Sequence, residues 1–518
     1  MKKLAFIALA LAVGCNSTQK TAGTKTKGKL ADPVSFASSI TQDDLKTHLY
    51  KYASDEFQGR ETGKPGQKLA IEYIKAHYQK LGIKAAKGNN DYFQDVPLEE
   101  TSMPTGSMNI NGVDYKLGED FIAMAQATGS FNDLVYVGYG IADDNYSDYK
   151  NIDVKGKLVL AKTGEPMKAD GTSVLTGTSE KSKWSNASEA LRKRSKAATD
   201  NGAKGIIFYD DNNFARYKQY FDRMSKRGGG RIQPKGDNAD AFSTIIIGSK
   251  MASGLVRGID GDNTPKTLAT PVKLNIVSNN KEVKSENVVA IIRGSEKPNE
   301  YVIVSSHLDH IGVNADGQIN NGADDDGSGT VATLEIAEAF RKAELSGNGP
   351  KRSIVFLHVT GEEKGLLGSQ HYADVDPIFP LEQTVADLNI DMVGRIDPKR
   401  EGDRNYIYLI GSDKLSTELH NLSEEVNKKY MNIELDYTYN DENDPNRFYY
   451  RSDHYNFAKN NIPIIFYFNG THADYHKPGD TPDKINYDLL ENRTRLVFHT
   501  AWEIANKDKR LVVDKAGE

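Results

Sequence analysis

Apolar positions along this chain follow two periods. Ile71, Ile74, Tyr78 and Leu81 recur at helical spacing on one face, and Gly82 stands where a helix would stop, so the stretch 41–83 reads as helical. Farther along, short continuous apolar runs take over. Residues 287–292, 301–305, 353–357 and 385–390 read as buried strands, and Ile464–Phe468 as another. Between them, Ala332, Ile336, Ala339 and Phe340 mark the core face of a helix. Strands alternating with helices predict an α/β fold, a mostly parallel mixed sheet flanked by helices.

From 130 to 277 the character changes. Residues 134–140 and 156–160 read as strands, and 197–205 as a helix feeding a strand at 206–209. The polar stretches 165–195 and 211–243 read as long loops. Gly228-Gly229-Gly230 reads as a loop tip and not a phosphate cradle, because no Lys-Ser or Lys-Thr follows it and no strand leads in. The segment contains no histidine and shows no catalytic constellation.

At 518 residues, the length suggests about three domains of ~150 residues. A net charge of −6 argues against nucleic-acid binding, which needs a basic footprint. The N-terminus has the form of a targeting segment: Lys2-Lys3, an apolar run over 4–13, then Gly14 and Cys15, the only cysteine. Ala12-Val13-Gly14-Cys15 resembles a bacterial lipobox, with a plain signal peptide as the simpler alternative. The expectation is an exported lipoprotein of the cell envelope, held to a membrane by lipid on Cys15. Residues 1–15 form its signal and 16–40 a flexible tether rich in Ser, Thr, Lys and Gly.

Candidate chemistry gathers behind the strand-like runs. His307-Leu308-Asp309 follows one, and Gly322-Ala323-Asp324-Asp325-Asp326-Gly327-Ser328-Gly329 lies just beyond it. Gly361-Glu362-Glu363, Asp391 and Asp474-Tyr475-His476 each follow another. Open α/β sheets place their sites outside the carboxyl ends of strands, so these residues suggest one shared site. Two histidines, several carboxylates and no thiolate suit divalent ions, zinc above all.

This series resembles the di-zinc aminopeptidase and glutamate carboxypeptidase family across most of 45–505. The resemblance implies two zinc ions per chain, one on His307, Asp325 and Asp391, the other on Asp325, Glu363 and His476, with Asp325 bridging. It makes Glu362 the general base beside a metal-bridging hydroxide, has the Asp309 carboxylate accept the second N–H of His307, and allows a cis peptide after Asp325; Asp326 is expected to support the site and not to ligate. It divides the chain into a peptidase domain (41–129 and 278–510) and an inserted, smaller β-rich protease-associated domain (130–277). Peptide substrates are implied, cut at the N-terminus. Dipeptidase or carboxypeptidase activity on the same centre is the nearest alternative; a glutaminyl cyclase and a non-catalytic receptor are more distant ones.

Other residues keep two readings. Tyr475 either donates to the oxyanion or packs, and Arg451 either meets substrate or makes a structural ion pair. The loop 58–66 either lines the cleft or simply enters a helix. His310, His358, His371, His454 and His472 read as supporting, core or surface histidines.

Overall fold

The runs at 301–305, 353–357 and 385–390 lie side by side at the centre of one sheet. In the computed structural model, which describes residues 32–227, 230–236 and 242–515, the ten-stranded sheet contains β1 (Phe93–Glu100), β2 (Ile232–Pro234), β3 (Lys281–Ile292), β4 (Lys297–His307), β5 (Arg352–Val359), β6 (Thr384–Ile390), β7 (Tyr406–Ile410), β8 (Glu434–Asp436) and β9 (Ile464–Phe468). Their order is β2-β1-β3-β5-β4-β6-β9-β7-β8, and the short strand Lys84–Ala85 pairs with β3. β5, β4, β6 and β9 are parallel, while β3 and β7 join them antiparallel. The sheet is therefore mixed, with a parallel centre, as the pattern predicts.

Burial on both faces explains the unbroken apolar runs in the central strands. Val302, Val304, Ile354, Phe356 and Leu388 face a large core shared with α1 (Gln42–Tyr52), α2 (Pro65–Leu81), α3 (Gly329–Leu345) and α4 (Tyr487–Asn506). Ile303, Val355 and Leu357 face a smaller core with Tyr372 and Phe457 on the opposite side. Thr41 caps α1 by accepting from Asp44 N, and Gly82, in the left-handed region, ends α2 where the sequence places a stop.

The insert is larger than expected. Thr105–Ile110, Val113–Lys116, Ala127–Phe131 and Val272–Val277 form a four-stranded sheet that shares a core with a six-stranded one. The second unit thus begins near Thr105 and not at 130. The hairpin pairing of β1 with β3, Glu100 opposite Lys281, brackets the insertion point. Residues 211–227, expected to be loop, form a helix. Phe214, Tyr217 and Phe221 give it an apolar face against Ile122 and Ile246, a period that its charged residues disguise. β2 leaves the insert to pair with β1, so one short arm completes the ten-stranded sheet.

Ala37 and Ile40 are buried in the main core, so the expected tether does not extend to residue 40. Cys15, and Gly228 and Gly229 of the glycine run, lie outside the described residues. Among the described residues, no helix is long and apolar enough to cross a membrane.

Candidate metal centre

Each expected ligand stands at or just beyond the carboxyl end of a parallel strand or in a loop that reaches it. His307 is the last residue of β4 and Asp391 the first after β6. Glu362 and Glu363 follow β5, and His476 lies in the loop after β9. Asp325 precedes α3, and the bond from it to Asp326 is cis.

Two clusters share Asp325. His307 Nε2 is 3.2 Å from Asp325 Oδ1 and 3.5 Å from Asp391 Oδ1. His476 Nε2 is 3.1 Å from both Asp325 Oδ2 and Glu363 Oε2. Four buried polar atoms here, His307 Nε2, His310 Nδ1, Asp325 Oδ2 and Glu363 Oε1, have no hydrogen-bond partner. Buried polar atoms are rarely left so. Imidazole nitrogens and carboxylate oxygens that converge without bonding one another fit a pair of divalent cations.

Electrostatics agree with that fit. Burial opposes charge on His476, yet Asp325 and Glu363 raise its pKa to about 10. Burial would raise Glu363, but His310 and His476 bring it down to about 2. Glu362 moves the other way: burial, reinforced by Glu363 and Asp391 and opposed by His307, lifts it well above the carboxylate range. Adjacent glutamates with pKa values pushed apart are suited to different tasks, one held as the anion and one better able to take up and release a proton.

The supporting contacts hold the ligands in place. His307 Nδ1 donates to the backbone carbonyl of Asp309 at 3.0 Å; the Asp309 carboxylate, expected to take that bond, is 4.0 Å away. It accepts instead from Thr62 Oγ1 (2.7 Å) and Glu362 N (3.2 Å), because the loop 58–63 approaches from the other side. Asp326 accepts from the backbone N–H groups of His307, Gly329 and Met392, joining three segments of the site. Asp391 Oδ2 accepts from Ser452 Oγ at 2.6 Å, and Ser452 in turn accepts from Asn389. Asp480 accepts from Asp324 N and Asp325 N, anchoring the loop that carries Asp325.

Several of these residues were not singled out in the sequence. Arg60 is fully buried and donates to the carbonyls of Tyr52, Leu308, Asn321 and Gly322. It therefore ties the His307 loop to the Asp325 loop, and the 58–66 segment does more than enter a helix. Its place between two glycines was the only local signal. Ser452 and Asp480 lie inside or beside recognised motifs, but nothing local marks which oxygen each serves.

A pocket adjoins the centre. Its lining combines the carboxylates Asp325, Glu362 and Asp391 with the apolar Met392, Phe448, Phe466 and Phe468, and Arg451 and Tyr475 also line it. The Tyr475 ring stacks on His476 with centroids 3.9 Å apart, and burial, then Asp325 and Glu363, keeps its phenol protonated. Both readings of Tyr475 thus share one side chain, packed by its ring and still able to donate. Arg451 lies 5.0 Å over the Phe448 ring and makes no ion pair among the described residues, so the structural-pair reading is not what is found.

Residues 287–501 match the model of Peptidase family M28. The match covers the segment that carries every expected metal ligand. A probable glutamate carboxypeptidase of Arabidopsis thaliana is 33% identical over 133 residues, covering 26% of this chain and 18% of the relative. Leucine aminopeptidase 2 of Arthroderma otae is 25% identical over 276 residues, covering 48% of this chain and 51% of the relative. The chain thus spans about half or less of the length of these curated relatives. An aminopeptidase from Aneurinibacillus sp. strain AM-1, a solved structure, is similar at 20% identity and a TM-score of 0.48, over 93% of this chain and 98% of that one.

Proposed function

We propose that the chain is a zinc-dependent exopeptidase that releases N-terminal residues from peptides. The observation that carries this reading is the set of unpartnered imidazole and carboxylate atoms converging on Asp325, with Glu362 alongside but outside both clusters. His307, Asp325 and Asp391 would hold one zinc, and Asp325, Glu363 and His476 the other. Bound there, the metal pair supplies Lewis acidity and lowers the pKa of water to near neutrality.

The chain's own groups do the rest. Glu362 takes the proton from the attacking water and passes it to the leaving amine, a task suited to a carboxyl whose pKa is raised. Tyr475, protonated and beside the pocket, donates to the developing oxyanion. Phe448, Phe466, Phe468 and Met392 form an apolar lining for the first side chain, and the carboxylates of the same pocket favour a free ammonium group.

Arg451 supports a second reading. A guanidinium at the pocket with no carboxylate partner among the described residues favours a substrate carboxylate, as in a dipeptide. Rates on free aminoacyl, N-blocked and dipeptide substrates, after chelation and return of zinc, separate the two. Turnover of blocked peptides with release of C-terminal residues would reject the aminopeptidase reading. The lipid anchor on Cys15 and the protease-associated character of the insert are part of the same proposal, supported by the lipobox pattern and by a separate domain beside the peptidase sheet.

A further inference from the structure

His310 has no part in the ligand set proposed above, yet it lies within the second cluster. It is fully buried, and neither ring nitrogen has a hydrogen-bond partner. Nδ1 is 2.8 Å from Glu363 Oε1 and 3.8 Å from Asp325 Oδ2. The close approach to Glu363 is not aligned as a hydrogen bond, since both atoms remain unpartnered. Two atoms with lone pairs held this near without a bond between them suggest a common third partner. Ligand atoms 2.0–2.2 Å from a tetrahedral zinc are separated by roughly 3.3–3.6 Å, and the distances here bracket that span.

The backbone explains why the ring points inward. Leu308 N donates to Val359 O, and Leu308 O accepts from Tyr52 Oη and Arg60 Nε. His310 N then donates to Arg60 O, in a bridge that pairs His310 with Glu61. The ring is pressed against Gly322, where a Cβ would come within 2.5 Å of its carbons. The site is built around this imidazole, and it cannot swing out without moving the loop that carries Asp325.

We propose that His310 is a further protein ligand of the second metal position, beside Asp325, Glu363 and His476. This rests on the zinc reading above and gives the two positions different characters. The second would be closed by four protein ligands, the arrangement of sites that retain their metal. The first, with only His307, Asp325 and Asp391, would keep an open place facing Glu362 and the pocket. Zinc should accordingly leave the first position before the second.

X-ray absorption at the zinc edge, on the full chain loaded with zinc alone, tests this directly. The proposal predicts three imidazoles shared between two ions in the parent, and two in His310→Phe. A zinc-loaded crystal should place His310 Nδ1 about 2.0–2.2 Å from the second ion. His310→Phe should weaken that ion's binding by more than the ~10–100-fold expected when an outer hydrogen bond is lost. Two imidazoles in the parent, with His310 donating to Glu363 and away from the metal, would overturn the proposal and leave the zinc reading intact. A parent that binds no zinc would overturn both. The parent spectrum decides the question even where the variant folds poorly.

Discussion

Arg60 Nη2 donates to the carbonyl of Gly322 at 2.8 Å, three residues before Asp325, while its Nε reaches the carbonyl of Leu308, next to His307. One buried guanidinium therefore sets the spacing of two ligand loops. Its charge meets carbonyl dipoles and the Tyr52 ring, 4.6 Å from Cζ. Arg60→Met keeps much of the volume and leaves those carbonyls unpaired. It should cost about 2–4 kcal/mol of stability and weaken zinc binding, as checked by thermal unfolding and metal titration. Parental values in both would remove Arg60 from the account.

A second buried group predicts a pH effect away from the metal centre. Glu335 on α3 is buried, its Oε1 3.5 Å from His48 Nε2, and burial, with Glu338 and Asp44 adding and Lys342 opposing, raises its pKa to about 8. A carboxyl raised in the fold contributes stability that is full below its unfolded value of about 4.5 and lost as pH rises through about 8. Nearby His77, lowered to about 3 by burial, His48 and Lys80, acts oppositely, and its contribution is lost as pH falls below about 6.5. Glu335→Gln should therefore match the parent near pH 4 and exceed it by about 1–4 kcal/mol near pH 8. An equal gain at both values would show that ionisation is not the cause.

The insert can be removed at a defined place. Glu100 pairs with Lys281, so a short turn could close β1 onto β3 in place of residues 103–278. The domain carries none of the proposed ligands, so small aminoacyl substrates should be cleaved within roughly tenfold of the parent rate while preference among longer peptides changes. Part of the loss would come from Ile232, which packs with Leu367 just beyond Glu362 and Glu363. A folded, zinc-loaded deletion that has lost small-substrate turnover would assign the insert to the chemistry itself.

Cys15→Ser removes the only thiol that lipid could modify. The variant should move from the detergent phase to the aqueous phase with kcat unchanged. Equal partitioning of variant and parent would discard the lipobox reading.

Much of the peptidase unit was legible because its signals are local. Buried parallel strands read as continuous apolar runs, and the ligand motifs follow them directly. What was missed depends on long-range contacts. The helix Asp211–Arg227 hides its apolar stripe among charges, and the strands Thr105–Ile110 and Ala127–Phe131 pair with the distant Val272–Val277. Asp309 was assigned to His307 from the adjacency of the motif, but its carboxylate is claimed by Thr62 and Glu362. His310 was set aside because its role depends on Gly322 and Glu363, which come near it only in the folded chain.

The central claim is that adjacent glutamates divide the work, and metal content measured beside turnover tests it. Glu362→Gln keeps shape and every ligand, so turnover should fall ~10²–10⁴-fold or more with zinc near two per chain. Glu363→Gln should lose affinity for one zinc, with part of its activity returning on added metal. Loss of a zinc from Glu362→Gln, with both retained in Glu363→Gln, would reverse the two roles. Parental turnover in Glu362→Gln would contradict the proton shuttle outright.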